Sequence, residues 1–333
     1  MKLEYYAKTD KGLVRSGNED RYLLLAEKNL FVVCDGMGGH SAGEVASRTA
    51  VGTISATFNF ESSELADDSL LDLGTSLPPD ASLLVKAIRL ANRRIYNRAR
   101  SDSNLSGMGT TVVSVAFEGD LISIAHTGDS RLYLYRDSKL TPLTIDHSWV
   151  AEAQAAGNLS SEMAGTLVSK NIITRALGIR ESVEVDIRTE KIEEDDVFIL
   201  CTDGLCSDST DREIEYVVNN GGDSPKKITD NLIQLALDHG GSDNITIVCI
   251  KALDVNQQTI YQPTPAQTIA EENVATGERE DEWLDILAEQ NRLEAEEFEE
   301  EDAARKSRGF ATLAFVILLM FGAVIYYFYE GGL

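Results

Sequence analysis

The sequence predicts an α+β fold of antiparallel sheets packed with helices, and three observations carry that prediction. Short β-branched runs bounded by Gly, Asp or Asn read as strands: Leu30–Cys34, Thr111–Phe117, Leu121–His126, Leu132–Tyr135, Val197–Cys201 and Ile245–Ile250. Three longer stretches, Ser41–Phe58, Ala81–Ser101 and Ser224–Asp238, carry apolar residues at three- and four-residue spacing and read as helices. The strands also come in clusters rather than alternating strictly with helices, which favours antiparallel pairing.

These elements fall within residues 1–253, which read as one domain of the 333-residue chain. A hydrophobic fraction of 43% suits a folded core. The formal net charge of -25 argues against nucleic acid as a partner, since two polyanions repel. Of the four cysteines, Cys34, Cys201 and Cys249 lie inside apolar runs, and none of the four forms a C-x-x-C pair. They read as small buried hydrophobes in a reducing compartment. The first residues, MKLEYYAKTDKG, lack an apolar h-region, so no signal peptide is expected.

After Leu253 the pattern changes. Residues 254–281 are polar and aperiodic, contain Pro263 and Pro265, and read as a linker. Residues 282–309 read as an acidic helix, with Leu284, Leu287, Asn291, Ala295 and Phe298 on one face, ending in the basic residues Arg305, Lys306 and Arg308. From Glu271 to Asp302 there are 15 acidic and 2 basic residues. Residues 310–329, FATLAFVILLMFGAVIYYFY, are uncharged. As a helix they would span roughly 30 Å, a bilayer's hydrocarbon core. The preceding basic cluster and the short tail 330–333 place the N-terminal domain on the cytoplasmic side of a cell membrane, held by a single-pass C-terminal transmembrane helix. The acidic stretch would be repelled by anionic headgroups and so hold the domain off the surface.

Chemistry concentrates where apolar runs end. Leu30–Cys34 runs into Asp35-Gly36, Val197–Cys201 into Thr202-Asp203-Gly204, and Ile122–Thr127 into Gly128-Asp129, while Asp243-Asn244 leads directly into Ile245. A lone Asp-Gly is what an ordinary turn offers. Four such strand ends in one domain suggest carboxylates on rigid supports. Carboxylates that converge need cations between them, and without a His or Cys ligand set the fit is to hard ions such as Mg²⁺ or Mn²⁺. Near the start, Arg15 offers a planar fork suited to phosphate oxygens. Glu19 and Asp20 after it, taken in isolation, read first as a solvated loop and second as metal ligands.

The segments RSGNED, VCDGMGGHSAGEVAS, GMGTT, HTGDSRLYLYRD, LTIDHS, ITRALG, LCTDGL and GSDNITIV, in that order across residues 3–253, closely resemble the motif series of bacterial metal-dependent Ser/Thr protein phosphatases, the PPM or type-2C family. That resemblance implies a central sandwich of two antiparallel β-sheets flanked by α-helices on both faces. It implies two Mn²⁺ or Mg²⁺ ions, with a possible third and weaker one. Asp35 would bridge both metals and Gly36 would offer its carbonyl; Asp203 and Asp243 would complete the first ion. Glu19 and Asp20 would serve the second, directly or through water, and Asp129 the third together with Asp203. Arg15 would bind the substrate phosphate.

The implied reaction is hydrolysis of phosphoserine or phosphothreonine in proteins by a water bridging the two ions, opposing a Ser/Thr kinase that is itself a candidate substrate. In animal members a histidine follows the first Asp-Gly; here that position is Met37, and His40 does not simply inherit its task. His126 and His147 read as structural. Residues Asp146 to about Ile172 resemble the mobile flap that neighbours the site in this family. A rival from another class is a catalytically inactive, membrane-tethered scaffold that binds phosphoproteins.

Overall fold

The computed structural model describes residues 1–39, 42–59, 77–155, 172–222, 224–255 and 259–270. All of them belong to the compact unit Met1–Glu280. Every strand pairing among them is antiparallel.

The elements run β1 (Lys2–Asp10), β2 (Arg21–Leu25), β3 (Leu30–Cys34), β4 (Gly36–Met37), α1 (Ala42–Asn59), α2 (Pro79–Ser101), β5 (Gly109–Thr110), β6 (Val112–Glu118), β7 (Leu121–Thr127), β8 (Arg131–Arg136), β9 (Lys139–Pro142) and α3 (Trp149–Ala155). They continue through β10 (Val185–Lys191), β11 (Val197–Cys201), α4 (Asp203–Cys206), α5 (Asp211–Asn220), α6 (Pro225–Asp238), β12 (Ile245–Asp254) and β13 (Gln267–Ile269). One sheet has the order β1-β12-β11-β8-β9, the other β13-β10-β7-β6-β3-β2, and β4-β5 is a short separate pair.

The cores show how these sheets stack. Strand β3 is buried throughout, but its residues alternate between two environments, as a period of two requires. Leu30, Val32 and Cys34 pack with Ala46, Ile54, Leu84 and Ile88 of α1 and α2. Phe31 and Val33 instead meet Phe198, Leu200, Val248 and Ile250 of the opposite sheet. A third core joins Ile199 and Ile247 to Ile214, Ile228 and Leu232 of α5 and α6. The result is a helix–sheet–sheet–helix sandwich, and the continuous apolar runs are the strands buried on both faces.

The register then gathers strand ends at one edge. Arg21 pairs with Cys34, Val33 with Val113, and Val112 with Thr127 in one sheet. In the other, Cys201 pairs with both Arg131 and Ile247, and Asp10 with Ile245. Antiparallel order therefore sets the ends of β3, β7 and β11 beside the starts of β2, β8 and β12. The opposite edge carries tight turns, such as Asp137–Ser138 between β8 and β9, both residues with positive φ (52° and 61°) as a type I′ hairpin requires.

The polar stretch after residue 254 differs from the linker expected. Its described part folds back onto the domain: β13 pairs with β10, Ile269 is buried in the helix-side core, and Arg89 donates to the Ile269 and Ala270 carbonyls. A three-residue strand paired across the fold leaves no periodic signal. No helix among the described residues is long and apolar enough to cross a membrane. The acidic helix 282–309, the transmembrane run 310–329, most of the flap (156–171) and His40 lie outside the described residues.

Candidate metal centre

The gathered edge holds the carboxylates that the sequence singled out. Asp35 follows β3, Asp203 opens α4 after β11, Asp129 precedes β8, Asp20 precedes β2, and Asp243 precedes β12. Asp20 is 1% exposed and Asp129 6%. Asp35 keeps some solvent-facing surface while protein surrounds its carboxyl on the remaining sides.

Asp35 and Asp20 are fixed by their neighbours. The Asp35 N–H donates to Thr111 Oγ1 at 3.0 Å, and the Asp35 carbonyl accepts from Thr111 N–H (2.9 Å) and Thr110 Oγ1 (2.8 Å). Thr111 in turn shares a 2.7 Å hydrogen bond with Ser130 of the other sheet. Asp20 Oδ2 accepts from Thr202 Oγ1 (2.9 Å) and Thr246 Oγ1 (2.7 Å), so one buried carboxylate ties the two sheets together. Asn244 accepts from Glu19 N–H at 2.8 Å and donates to the Lys11 and Gly17 carbonyls, which sets the RSGNED loop against β12. Gly36 is a backbone-only position: a Cβ there would stand 2.1 Å from the Gly43 carbonyl and 2.7 Å from that of Glu19. The Glu19 carboxylate lies over Gly43 in the first turn of α1.

The electrostatics are those of an unneutralised cluster. Burial, then repulsion from Asp20, Asp203, Asp129 and Asp243, lifts the Asp35 carboxyl well above the ordinary carboxylate range. Burial does the same for Asp20, raised to about 7 against the pull of its two hydroxyl partners, and for Asp129, raised to about 7 with help from Asp203. Asp203 and Glu19 are raised by burial and then by Asp243, with Arg15 drawing Glu19 back down. Asp20 Oδ1, Asp129 Oδ1 and Asp203 Oδ1 are all buried without a hydrogen-bond partner. Three orphaned carboxylate oxygens at one edge, beside no neutralising His or Lys among the described residues, are what divalent-cation ligands look like before the ion is counted. The residues present fit hard cations.

Arg15 stands at the rim, half exposed, its Nη2 donating to Asp243 Oδ2 at 2.6 Å. All eight residues expected at the site are thus on one edge. The supporting residues Thr110, Thr111, Thr202, Thr246 and Asn244 were not expected. Their signal was present as the polar neighbours within GMGTT, LCTDGL and GSDNITIV.

By distance alone a different group is better gathered: His126, His147 and Asp186 offer donor atoms within 4.8 Å of one another. Their hydrogen bonds are already made. His147 Nδ1 accepts from Gly128 N–H (3.1 Å) and His147 Nε2 faces Asp186 Oδ2 (3.2 Å), while His126 Nε2 donates to the Ile145 carbonyl (2.9 Å). The two rings stack at 4.7 Å. This is a structural brace, as the sequence suggested for both histidines.

A doubly helix-covered sandwich with an acidic edge defines a metal-dependent hydrolase. The protein phosphatase 2C profile matches residues 15–224. The serine/threonine phosphatase Stp of Listeria welshimeri is 35% identical over 247 residues, 73% of this chain and 94% of that protein. A crystal structure of the PstP catalytic domain in complex with two manganese ions superposes with a TM-score of 0.64 at 33% identity, covering 76% of this chain and 99% of that one. Stp1 of Staphylococcus aureus gives 0.67 at 30% identity, over 76% and 96%. This chain belongs to the protein phosphatase 2C, or PPM, family. It is a protein-serine/threonine phosphatase with Mn²⁺ or Mg²⁺ as cofactor, acting on Ser/Thr-phosphorylated proteins. The inactive-scaffold alternative finds no support.

Proposed function

We propose that this phosphatase works at the cytoplasmic face of a cell membrane, opposing a Ser/Thr kinase and counting that kinase among its substrates. The observation behind its chemistry is the set of three buried, partnerless carboxylate oxygens on Asp20, Asp129 and Asp203. Asp35, the Gly36 carbonyl, Asp203 and Asp243 would hold one ion; Glu19 and Asp20 would serve a second together with Asp35, and Asp129 with Asp203 a weaker third.

When bound, two such cations supply water activation near neutral pH and neutralisation of phosphate charge. The chain's own residues do the rest. Thr110 and Thr111 fix the backbone of Asp35, and Thr202 and Thr246 fix the rotamer of Asp20, so the ligands are placed before substrate arrives. Arg15 commits one nitrogen to Asp243 and leaves the rest of its fork toward solvent, where it meets the substrate phosphate and holds it against the centre.

The test is phosphate release from a phosphothreonine peptide by the full chain, with and without Mn²⁺, beside Asp203→Ala. Metal-dependent turnover lost in the variant is expected; equal turnover in the variant would remove Asp203 from the centre. Membrane tethering rests on the apolar run 310–329 and its basic flank. Cell fractionation should find the full chain in the membrane pellet and a chain ending at residue 309 in the supernatant. The full chain in the supernatant would refute the tether.

A further inference from the structure

Beside the centre, on the side of Met37, lies a cavity of about 470 Å³, within the usual range of ligand pockets. Its walls include Met37, two residues from Asp35, together with Glu152 of α3, Arg175, Ile179, Arg180, and Ala270 at the end of the folded-back strand. The floor is apolar. Met37 Cε and Ile179 Cδ1 both come within 2.9 Å of where a Gly109 side chain would begin, so the two side chains meet over that glycine.

The two arginines on the wall are not equivalent. Arg175 is spoken for by Glu184 (3.5 Å), Asp186 (3.2 Å) and, at 4.0 Å, Glu152. Arg180 is exposed and has no side-chain partner among the described residues. What is fixed is its backbone. The fully buried Asn92 donates to the carbonyls of Arg180 (3.1 Å) and Glu181 (2.9 Å) and accepts from Gly178 N–H (2.8 Å). Gly178 has a φ of +86°, and a Cβ there would lie 2.2 Å from Ile95 Cγ2, so the turn admits no other residue without moving α2. A guanidinium with no partner among the described residues, on a pinned turn, over an apolar floor and next to a phosphatase centre, is a preorganised anion contact. The two carboxylates that line the same cavity, Glu152 and Glu184, are both taken by Arg175, which leaves the charge of Arg180 uncompensated by either.

We propose that this cavity is the subsite for the substrate residues flanking the phosphorylated one, and that Arg180 selects an anionic side chain there. The apolar floor takes the aliphatic stem of that side chain and Arg180 takes its charge. The shared chemistry is an anion, supplied either by a carboxylate or by a second phosphate on the same peptide. The proposal rests on the phosphatase reading, and its test separates the two.

The full chain with Mn²⁺ is assayed on phosphothreonine peptides carrying a single Glu or Gln at each flanking position in turn, and on matched peptides with a second phosphothreonine. p-Nitrophenyl phosphate, which has no flanks, serves as the control. At the best position the Glu peptide should exceed its Gln partner in kcat/KM by about fivefold to tenfold, the scale of one ordinary hydrogen bond at an exposed site. Arg180→Ala should erase that preference while leaving the Gln peptide and p-nitrophenyl phosphate unchanged, and Arg180→Glu should reverse it. A preference for the second phosphate with none for Glu, lost in Arg180→Ala, keeps the subsite and names phosphate as its anion. A preference that survives Arg180→Ala, or an equal loss on Glu and Gln peptides, overturns the proposal. Wild-type failure on p-nitrophenyl phosphate would instead strike the phosphatase reading.

Discussion

Two clusters of buried titratable side chains lie in this domain, and they answer the same problem in opposite ways. At the strand-end edge, Asp20, Asp35, Asp129 and Asp203 crowd together and several oxygens go without partners. In the brace, Asp186 accepts from Thr268 Oγ1 (2.7 Å) and Arg175 (3.2 Å) besides facing His147. One cluster is complete as protein, and the other is complete only with cations. Proximity of donor atoms, which favours the brace, is therefore a poorer guide to a metal than unsatisfied hydrogen-bonding capacity.

The largest test of this contrast is activity. Asp35→Asn should lower metal-dependent turnover by about 10³-fold or more, beyond the 10–100-fold typical of outer-shell partners, whereas Asp186→Asn should cost less than about tenfold. Comparable losses from both would abolish the distinction.

Next comes pH. In the metal-free protein Asp20 and Asp129 are raised to about 7. Between their unfolded values near 4 and that point, the native chain binds more protons than the unfolded chain, so stability falls as pH rises. His126, buried and then repelled by His147, is lowered to about 4, so it acts in the other direction, withdrawing stability as pH falls from about 6.5 to about 4. The rise in Tm on adding Mn²⁺ should accordingly be several degrees larger at pH 8 than at pH 5, at about 2–4 °C per kcal/mol. Mn²⁺-saturated protein should still lose stability toward pH 4. An equal Mn²⁺ effect at both pH values would mean that the acidic cluster is not what binds it.

The smallest effect concerns the link between the brace and the folded-back strand. A chain ending at residue 253 loses Ile269, which is 6% exposed, and the Thr268–Asp186 bond. It should be about 2 kcal/mol less stable in urea than one ending at residue 270, the scale of one buried Ile. Equal midpoints would make the strand an ornament.

Much of this was legible in the sequence where the signal was local. The strands Leu30–Cys34 and Val197–Cys201 were read to the residue, because burial on both faces makes them apolar throughout. Two further elements carry a local signal. Strand β10 alternates Val185, Ile187 and Thr189 inward, and Thr210 with Glu213 forms a capping box ahead of α5. Others were not legible locally. Strand β1 is a polar edge strand paired with β12, more than 200 residues later, and β13 is too short to show a period. The site divides along the same line. That Asp35, Asp129, Asp203 and Asp243 sit at strand ends could be read from neighbours in sequence. That these ends meet depends on register between segments some 200 residues apart, such as Asp10 with Ile245.

That register also divides the labour between the two edges of the sandwich. Since every carboxylate of the centre lies at one edge, the turn at Asp137–Ser138 on the other is exposed and carries none of them. A reporter peptide or fluorophore spliced between those two residues would ride on the domain without touching its chemistry. It offers a handle for following this phosphatase at work, on the edge away from the carboxylates of its centre.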